Sequence, residues 1–313
     1  MSDPELSLTR DVAVPSLDEI PQPESIDLPD GRRLAWYELG DPSGVPAIFS
    51  PGTPVSGISG AMYHLQAQAA GVRWLSMDKP GYGHSDELPG RALLDWANDI
   101  SNFAQHIGLG SFASVGESGG GPHALAIAFG LGKQVTTTIL IGGTSAARGG
   151  KEFDDKLKET NRALFTMARE DVAGLTEVFR QWRDKSMHHE GALALLEGIH
   201  SEQLARDRAV LSVPGVLDIH AASLTDAFRD GVTGAVRENQ MFEEPWGFSI
   251  AEITGEVHLW HGSEDVNVPI SVAESIAKEL RHPIEHFVEG AGHWVGQEYI
   301  KEIMGEIVAA ATR

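Results

Sequence analysis

The chain has 313 residues, 42% of them hydrophobic and 22% charged, with no cysteine and a formal net charge of −21. Lack of cysteine excludes disulfides, thiolate metal sites and a cysteine nucleophile. The charge argues against nucleic acid, anionic membranes and polyanionic substrates, all of which need a positive field.

The first 22 residues are acidic and proline-dotted, and read as a poorly ordered lead-in or an arm lying over the body. They carry no basic segment leading into an apolar one, which argues against a secretory signal. "SIDLPDGRRLAWYELG" alternates apolar and polar residues around Pro29-Asp30-Gly31 and predicts an antiparallel hairpin. Short apolar runs without alternation follow at 46–50, 72–78, 112–116, 136–143, 257–262 and 284–290. Such runs suit parallel strands covered on both faces. Helical patterns separate them near 60–70, 91–107, 120–131, 271–281 and 297–311. Strand and helix alternate, so the predicted class is α/β, a mostly parallel sheet with helices on both faces. Residues 146–245 break the rhythm with helical periodicity alone and predict an inserted helical cap; 23–145 and 246–313 form the core. A cap over the carboxyl ends of parallel strands would enclose the pocket found at that edge.

The segment "SVGESGGGP" runs from a predicted strand into a predicted helix and contains Gly116-Glu117-Ser118-Gly119-Gly120. This is G-x-S-x-G, a sharp turn presenting a serine, with glycines where side chains would clash. In a chain with 35 glycines the pentapeptide alone is weak evidence. Serine is a poor nucleophile without a base, so the reading requires a histidine and a carboxylate on later strand-end loops. "VHLWHGSEDVNVP" supplies Asp265 and "IEHFVEGAGHWVG" supplies His293, in the chain order expected of a hydrolase with this architecture. Ser118 would attack, His293 would move the proton, and Asp265 would orient the imidazole. Backbone N–H groups of Gly119 and Thr53 are the candidate oxyanion donors, since Pro51 and Pro54 have none and Gly52 makes the turn.

In "FSPGTP", "DKPGYGHSD", "VGESGGG", "LWHGSEDVNVP" and "GAGHWV", in that order, the chain resembles the α/β-hydrolase fold superfamily over roughly 24–145 and 246–311. The segment "PWGFSIAEI" resembles the exit from the cap in poorly characterised bacterial members. The chain departs from the common pattern at Pro51, where many members have His, and at Lys79, where many have Arg in a loop read here as structural. Serine at position 118 argues against the haloalkane dehalogenase and epoxide hydrolase branches, which use a carboxylate nucleophile.

These readings predict a metal-free, cofactor-free serine hydrolase acting through an acyl-enzyme. The expected substrate is a small to medium, neutral, partly apolar carboxylic ester. Trp182, Met241, Trp246 and Trp294 are the candidate pocket residues, beside other apolar cap positions such as Leu164 and Phe179. The expected protein is cytoplasmic, a monomer or homodimer, with no nucleic-acid or membrane partner. The same triad would serve lactone, amide, thioester or C–C bond hydrolysis, or perhydrolase and haloperoxidase chemistry. A reading of another class is a small-ligand binding protein on the same fold. Glu117 is expected to turn away from substrate, and His123 to pack near the site. "MHHE" at 187–190 lacks the spacing that puts two imidazoles on one helix face and reads as a solvated helix.

Overall fold

Leu28 and Arg32 exchange a hydrogen bond of 2.7 Å across a turn in which Gly31 has φ +85°. That turn joins β1 (Glu24–Asp27) to β2 (Arg33–Gly40) as an antiparallel hairpin. The computed structural model describes residues 12–144 and 157–313. Six further strands follow: β3 (Val45–Ser50), β4 (Val72–Met77), β5 (Phe112–Glu117), β6 (Val135–Ile141), β7 (Val257–Gly262) and β8 (Pro283–Val288). They form one eight-stranded sheet in the order β1-β2-β4-β3-β5-β6-β7-β8. β2 runs antiparallel to β4, and every pairing from β4 through β8 is parallel.

Successive residues of the central strands go to opposite faces, and both faces are buried. Ala47, Phe49, Trp74, Val115 and Ile141 pack on one side with α1 (His64–Ala70) and with α12 (Ile300–Ala311). Ile48, Leu75 and Phe112 pack on the other with α2 (Leu93–His106) and α3 (Gly121–Leu131). Two apolar faces explain why these strands read as continuous apolar runs rather than as alternation. α10 (Ile270–Glu279) covers β7 beside α3, and the short α11 (Val295–Glu298) precedes α12. The α/β class expected from the sequence is therefore observed. The helix expected near 60–70 begins as a 3-10 turn, Gly57–Tyr63, because Gly57 and Gly60 lie too close to β4 for a side chain.

Between β6 and β7 the described residues form six helices and no strand. These are α4 (Glu159–Glu170), α5 (Val172–Ser186), α6 (His189–His200), α7 (Ala205–Leu211), α8 (Val216–Ala227) and α9 (Thr233–Glu243). They share a core of Leu175, Phe179, Leu196, Leu224 and Phe228. The insertion is also rooted in the main body. Val210, Leu211, Val216 and Ile219 join the α1/α12 core, and Met241 and Phe242 join the α3/α10 core.

The lead-in is more ordered than its composition suggests. Val12 is buried in the α1/α12 core, and Gln66 donates to the Ala13 carbonyl at 2.9 Å. Residues 1–11 and 145–156, which include the start of the expected insertion, lie outside the described residues.

Candidate active site

β5 ends at Glu117, and the chain turns sharply through Ser118–Gly120 into α3. Ser118 has φ +50°, the one positive value at a non-glycine among the described residues. An L-residue adopts that conformation only where its surroundings enforce it. The enforcement is close packing: a Cβ on Gly116 would lie 2.3 Å from the Gly120 carbonyl, and one on Gly120 would lie 1.9 Å from that of Ser50. Pro122 falls in the first turn of α3, where its missing N–H costs nothing.

Asp265 follows β7 and His293 follows β8, and the two side chains meet: His293 Nδ1 is 2.7 Å from Asp265 Oδ2. The other carboxylate oxygen of Asp265 accepts N–H bonds from Asn267 at 2.7 Å and Val268 at 2.9 Å. With Nδ1–H donated to Asp265, Nε2 carries the free lone pair. Burial works against both charges, but the mutual attraction outweighs it. It holds the Asp265 carboxyl below its ordinary range and, with Asp207 and Glu117 adding to it, raises the His293 imidazole above its own. The His293 loop is pinned from the insertion, where the buried Asp207 on α7 accepts the N–H groups of His293 at 3.1 Å and Trp294 at 3.2 Å.

The loop after β3 brings Thr53 against the turn. A Cβ on Gly119 would lie 2.1 Å from Thr53 Oγ1, so only glycine fits beside that threonine. Thr53 is in turn held by a buried ionic cluster. Its hydroxyl donates to Glu238 Oε2 at 2.5 Å, and Tyr82 donates to the same oxygen at 2.6 Å. Lys79 Nζ lies 2.7 Å from Glu238 Oε1, and both side chains are fully buried. The ammonium also donates to the carbonyls of Pro51 at 2.8 Å and Gly52 at 3.1 Å. Burial lowers the Lys79 ammonium, while at Glu238 burial is outweighed by Lys79 and its neighbours, which hold the carboxyl below its usual range. His123 Nδ1 is 3.1 Å from the Gly119 carbonyl, and burial pushes its imidazole down to about 3, so it sits neutral beside the cluster.

Ser118, His293, Gly52 and Thr53 wall one cavity of about 140 Å³, shared with Trp182, Trp294, Leu196, Ile199 and Leu224. A smaller cavity of about 60 Å³ adjoins it at Ser118, Gly119, Phe179 and Phe242. Among the described residues the Ser118 hydroxyl makes no hydrogen bond to His293, although both face the first cavity. Of the four pocket candidates, Trp182 and Trp294 line it. Met241 and Trp246 do not: their side chains are buried with Ala124, Ile250 and Val272 in the α3/α10 core, where they fasten the end of the insertion to the body. Glu117 touches the cavity, but its carboxylate is taken up by two buried residues, accepting from Tyr63 at 2.5 Å and Gln297 at 3.2 Å.

A family model described as "Alpha/beta hydrolase family" matches residues 47–304, most of the chain. The chain belongs to that family. Solved structures similar to this hydrolase include an esterase from Exiguobacterium antarcticum, 20% identical with TM-score 0.69, covering 93% of this chain and 100% of that one. Another is E-2-(acetamidomethylene)succinate hydrolase, 15% identical with TM-score 0.70, covering 93% of this chain and 99% of that one. At such identities the likeness is one of fold. Among curated proteins, the dihydrolipoyllysine-residue acetyltransferase component of an acetoin cleaving system from Pseudomonas putida is 27% identical over 145 residues. That match takes in 45% of this hydrolase and only 39% of the relative's length.

Several residues that shape the hydrolase's cavity carried only a faint sequence signal. Asp207 precedes the buried Val210 and Leu211, and Glu238 precedes the buried Met241 and Phe242. Each is a carboxylate on the apolar face of its helix, which marks a buried partner without naming it. His258, His286 and Glu306 converge between β7, β8 and α12, with their ligand-type atoms within 4.8 Å of one another. They bond one another at 3.1 Å, and Trp260 donates to Glu306 at 3.0 Å, which accounts for the cluster without an ion. His189 of "MHHE" bonds Asp218 at 2.9 Å on the exposed surface. Among the described residues no helix is long and apolar enough to cross a membrane.

Proposed function

We propose that this member of the family is a serine hydrolase that cleaves a small carboxylic ester through an acyl-enzyme. Ser118 Oγ attacks the ester carbonyl as His293 Nε2 takes its proton, and Asp265 stabilises the imidazolium. The N–H groups of Gly119 and Thr53 receive the developing oxyanion. The alkoxide leaves with the proton from Nε2. A water then gives a proton to Nε2 and attacks the acyl carbon, and Ser118 departs with that proton.

The observation that carries this reading is the strained Ser118, at φ +50°, on the same cavity wall as an imidazole braced at 2.7 Å by a buried carboxylate. A backbone penalty of about 1–3 kcal/mol at a non-glycine residue is retained where function uses it. The open hydroxyl–imidazole contact is compatible with this mechanism, since catalytic hydrogen bonds tighten in the substrate complex. The cavity's size favours short acyl and alcohol parts over long chains.

The test is hydrolysis of a series of nitrophenyl esters from acetate to decanoate by the wild type and by Ser118→Ala, with fluorophosphonate labelling in parallel. The reading expects labelling at Ser118, preference for short chains, and loss of turnover by about 10⁶ in the variant. Folded wild-type protein that neither labels nor hydrolyses any ester would favour the binding-protein reading.

A further inference from the structure

The cavity wall is not uniformly neutral. Among the described residues Lys158 is the single Lys or Arg side chain on it, and only 8% of that residue is exposed. Its backbone N–H is anchored to the Val266 carbonyl at 2.9 Å, next to Asp265, so it is held at the edge of the catalytic loops. The ammonium has three hydrogens to donate, and its one hydrogen bond runs to the Ile199 carbonyl at 3.2 Å. Among the described residues no carboxylate lies within ion-pair distance of it. Burial pushes this ammonium down to about 8 against the pull of Glu202, Asp265 and Asp207, none of them in contact with it, which still leaves it charged at neutral pH. A buried, unpaired ammonium is costly unless something anionic joins it.

The neighbouring wall is rich in unused donors. Both ring nitrogens of His200, Nδ1 of His220 and Nε1 of Trp294 are buried without a protein partner. The three rings form one group, with centroids 5.2 to 5.7 Å apart. Burial, reinforced by the charge of Lys158, holds His200 at about 2 and His220 at about 4, so both rings are neutral; His200 has an N–H to give from either nitrogen, and His220 offers one in the tautomer that carries its hydrogen on Nδ1. The competing acid on the wall, Glu117, is already engaged by Tyr63 and Gln297. Buried polar atoms are nearly always satisfied in a working protein, and this group of donors beside one cation suits an anionic group with several acceptor oxygens.

We propose that the substrate carries a free carboxylate besides the scissile ester, bound by the Lys158 ammonium with donors from His200, His220 and Trp294. Leu196, Ile199 and Leu224 of the same wall cover the methylenes between the two groups. The inference rests on the serine-esterase reading and departs from the neutral substrate expected from the acidic surface and the apolar cap, the net charge being −21. That charge is distributed over the surface and is screened beyond about 8 Å at physiological salt, whereas the ammonium would meet its anion inside the cavity.

The test compares monoethyl glutarate with ethyl valerate, in which a methyl stands where the half ester has its carboxylate. In the wild type, kcat/KM for the half ester exceeds that for ethyl valerate, and Lys158→Met lowers this ratio at least tenfold. Glutarate inhibits the wild type at least tenfold better than glutaramide, a comparison that needs no variant to fold. Ser118→Ala protein still binds glutarate in calorimetry, so loss of the serine mechanism and loss of the carboxylate subsite are separable. A ratio unchanged within twofold in folded Lys158→Met, or equal inhibition by glutarate and glutaramide, overturns the proposal.

Discussion

Replacing Lys79 by methionine keeps much of the side chain's volume but removes the ammonium that faces Glu238 at 2.7 Å inside the protein. The carboxylate, fully buried, would then escape its charge most cheaply by taking a proton. Neutralising a glutamate of ordinary pKa costs about 4 kcal/mol at pH 7 and about 1 kcal/mol at pH 5. The Pro51 and Gly52 carbonyls also lose their donor, at about 1 kcal/mol each. A chain of 313 residues shifts its unfolding midpoint by about 1.5 °C per kcal/mol. Lys79→Met is therefore expected to melt about 9 °C below the wild type at pH 7 and about 4.5 °C below it at pH 5. The sign follows from Glu238, whose folded-state pKa is raised in the variant, so its penalty grows as pH rises. Adding Glu238→Gln keeps an acceptor for the Thr53 and Tyr82 hydroxyls without the charge, and should recover about half of the loss at pH 7. Thermal unfolding followed by circular dichroism at both pH values measures all three proteins. A Lys79→Met midpoint within about 2 °C of the wild type at pH 7, or a deficit that fails to shrink at pH 5, would refute the reasoning.

Gly119→Ala would put a methyl 2.1 Å from Thr53 Oγ1 and 2.9 Å from Phe242 Cζ, displacing an expected oxyanion donor. Its kcat on a short nitrophenyl ester should fall by about 10²–10³, at an overpacking cost of about 1–3 kcal/mol read by thermal unfolding. Asp265→Asn leaves an acceptor for the Asn267 and Val268 N–H groups but no longer selects the His293 tautomer, and kcat should drop by about 10⁴ in a stopped assay. His293 must be neutral to take a proton, and its pKa is raised by Asp265 against the pull of burial. The kcat/KM profile should therefore fall on the acid side through a pKa above the ordinary 6.5, and a flat rate from pH 5 to pH 8 would remove His293 as the base. Asp207→Ala frees the N–H groups of His293 and Trp294, and should lower kcat with partial rescue by Asp207→Asn.

Local signals in the sequence sufficed for a large part of this picture. Apolar runs covered on both faces marked β3 to β7, and the Pro29-Asp30-Gly31 turn marked the hairpin, because strand burial and turn geometry are set within a few residues. The edge strand β8 was read from the same kind of run at 284–290, although its residues are mostly half-buried. Ser118, Asp265 and His293 could be singled out because each lies just past a strand, and parallel strands deliver their carboxyl ends to a common edge.

The pocket was not legible in the same way. Trp182, Met241, Trp246 and Trp294 are all large and apolar, and nothing local separates the two that line the cavity from the two that bolt the insertion to the body. Periodicity tells which face of a helix is buried, not what it is buried against. Lys158, Asp207 and Glu238 acquire their partners across 41 to 185 residues, from loops and helices that only the docked insertion brings together. The chain alone thus determined the scaffold and which residues reach the carboxyl edge of the sheet, because those follow from local burial and strand direction. The tertiary structure alone decided what surrounds them, since the charge and shape of the cavity arise where separately folded segments meet.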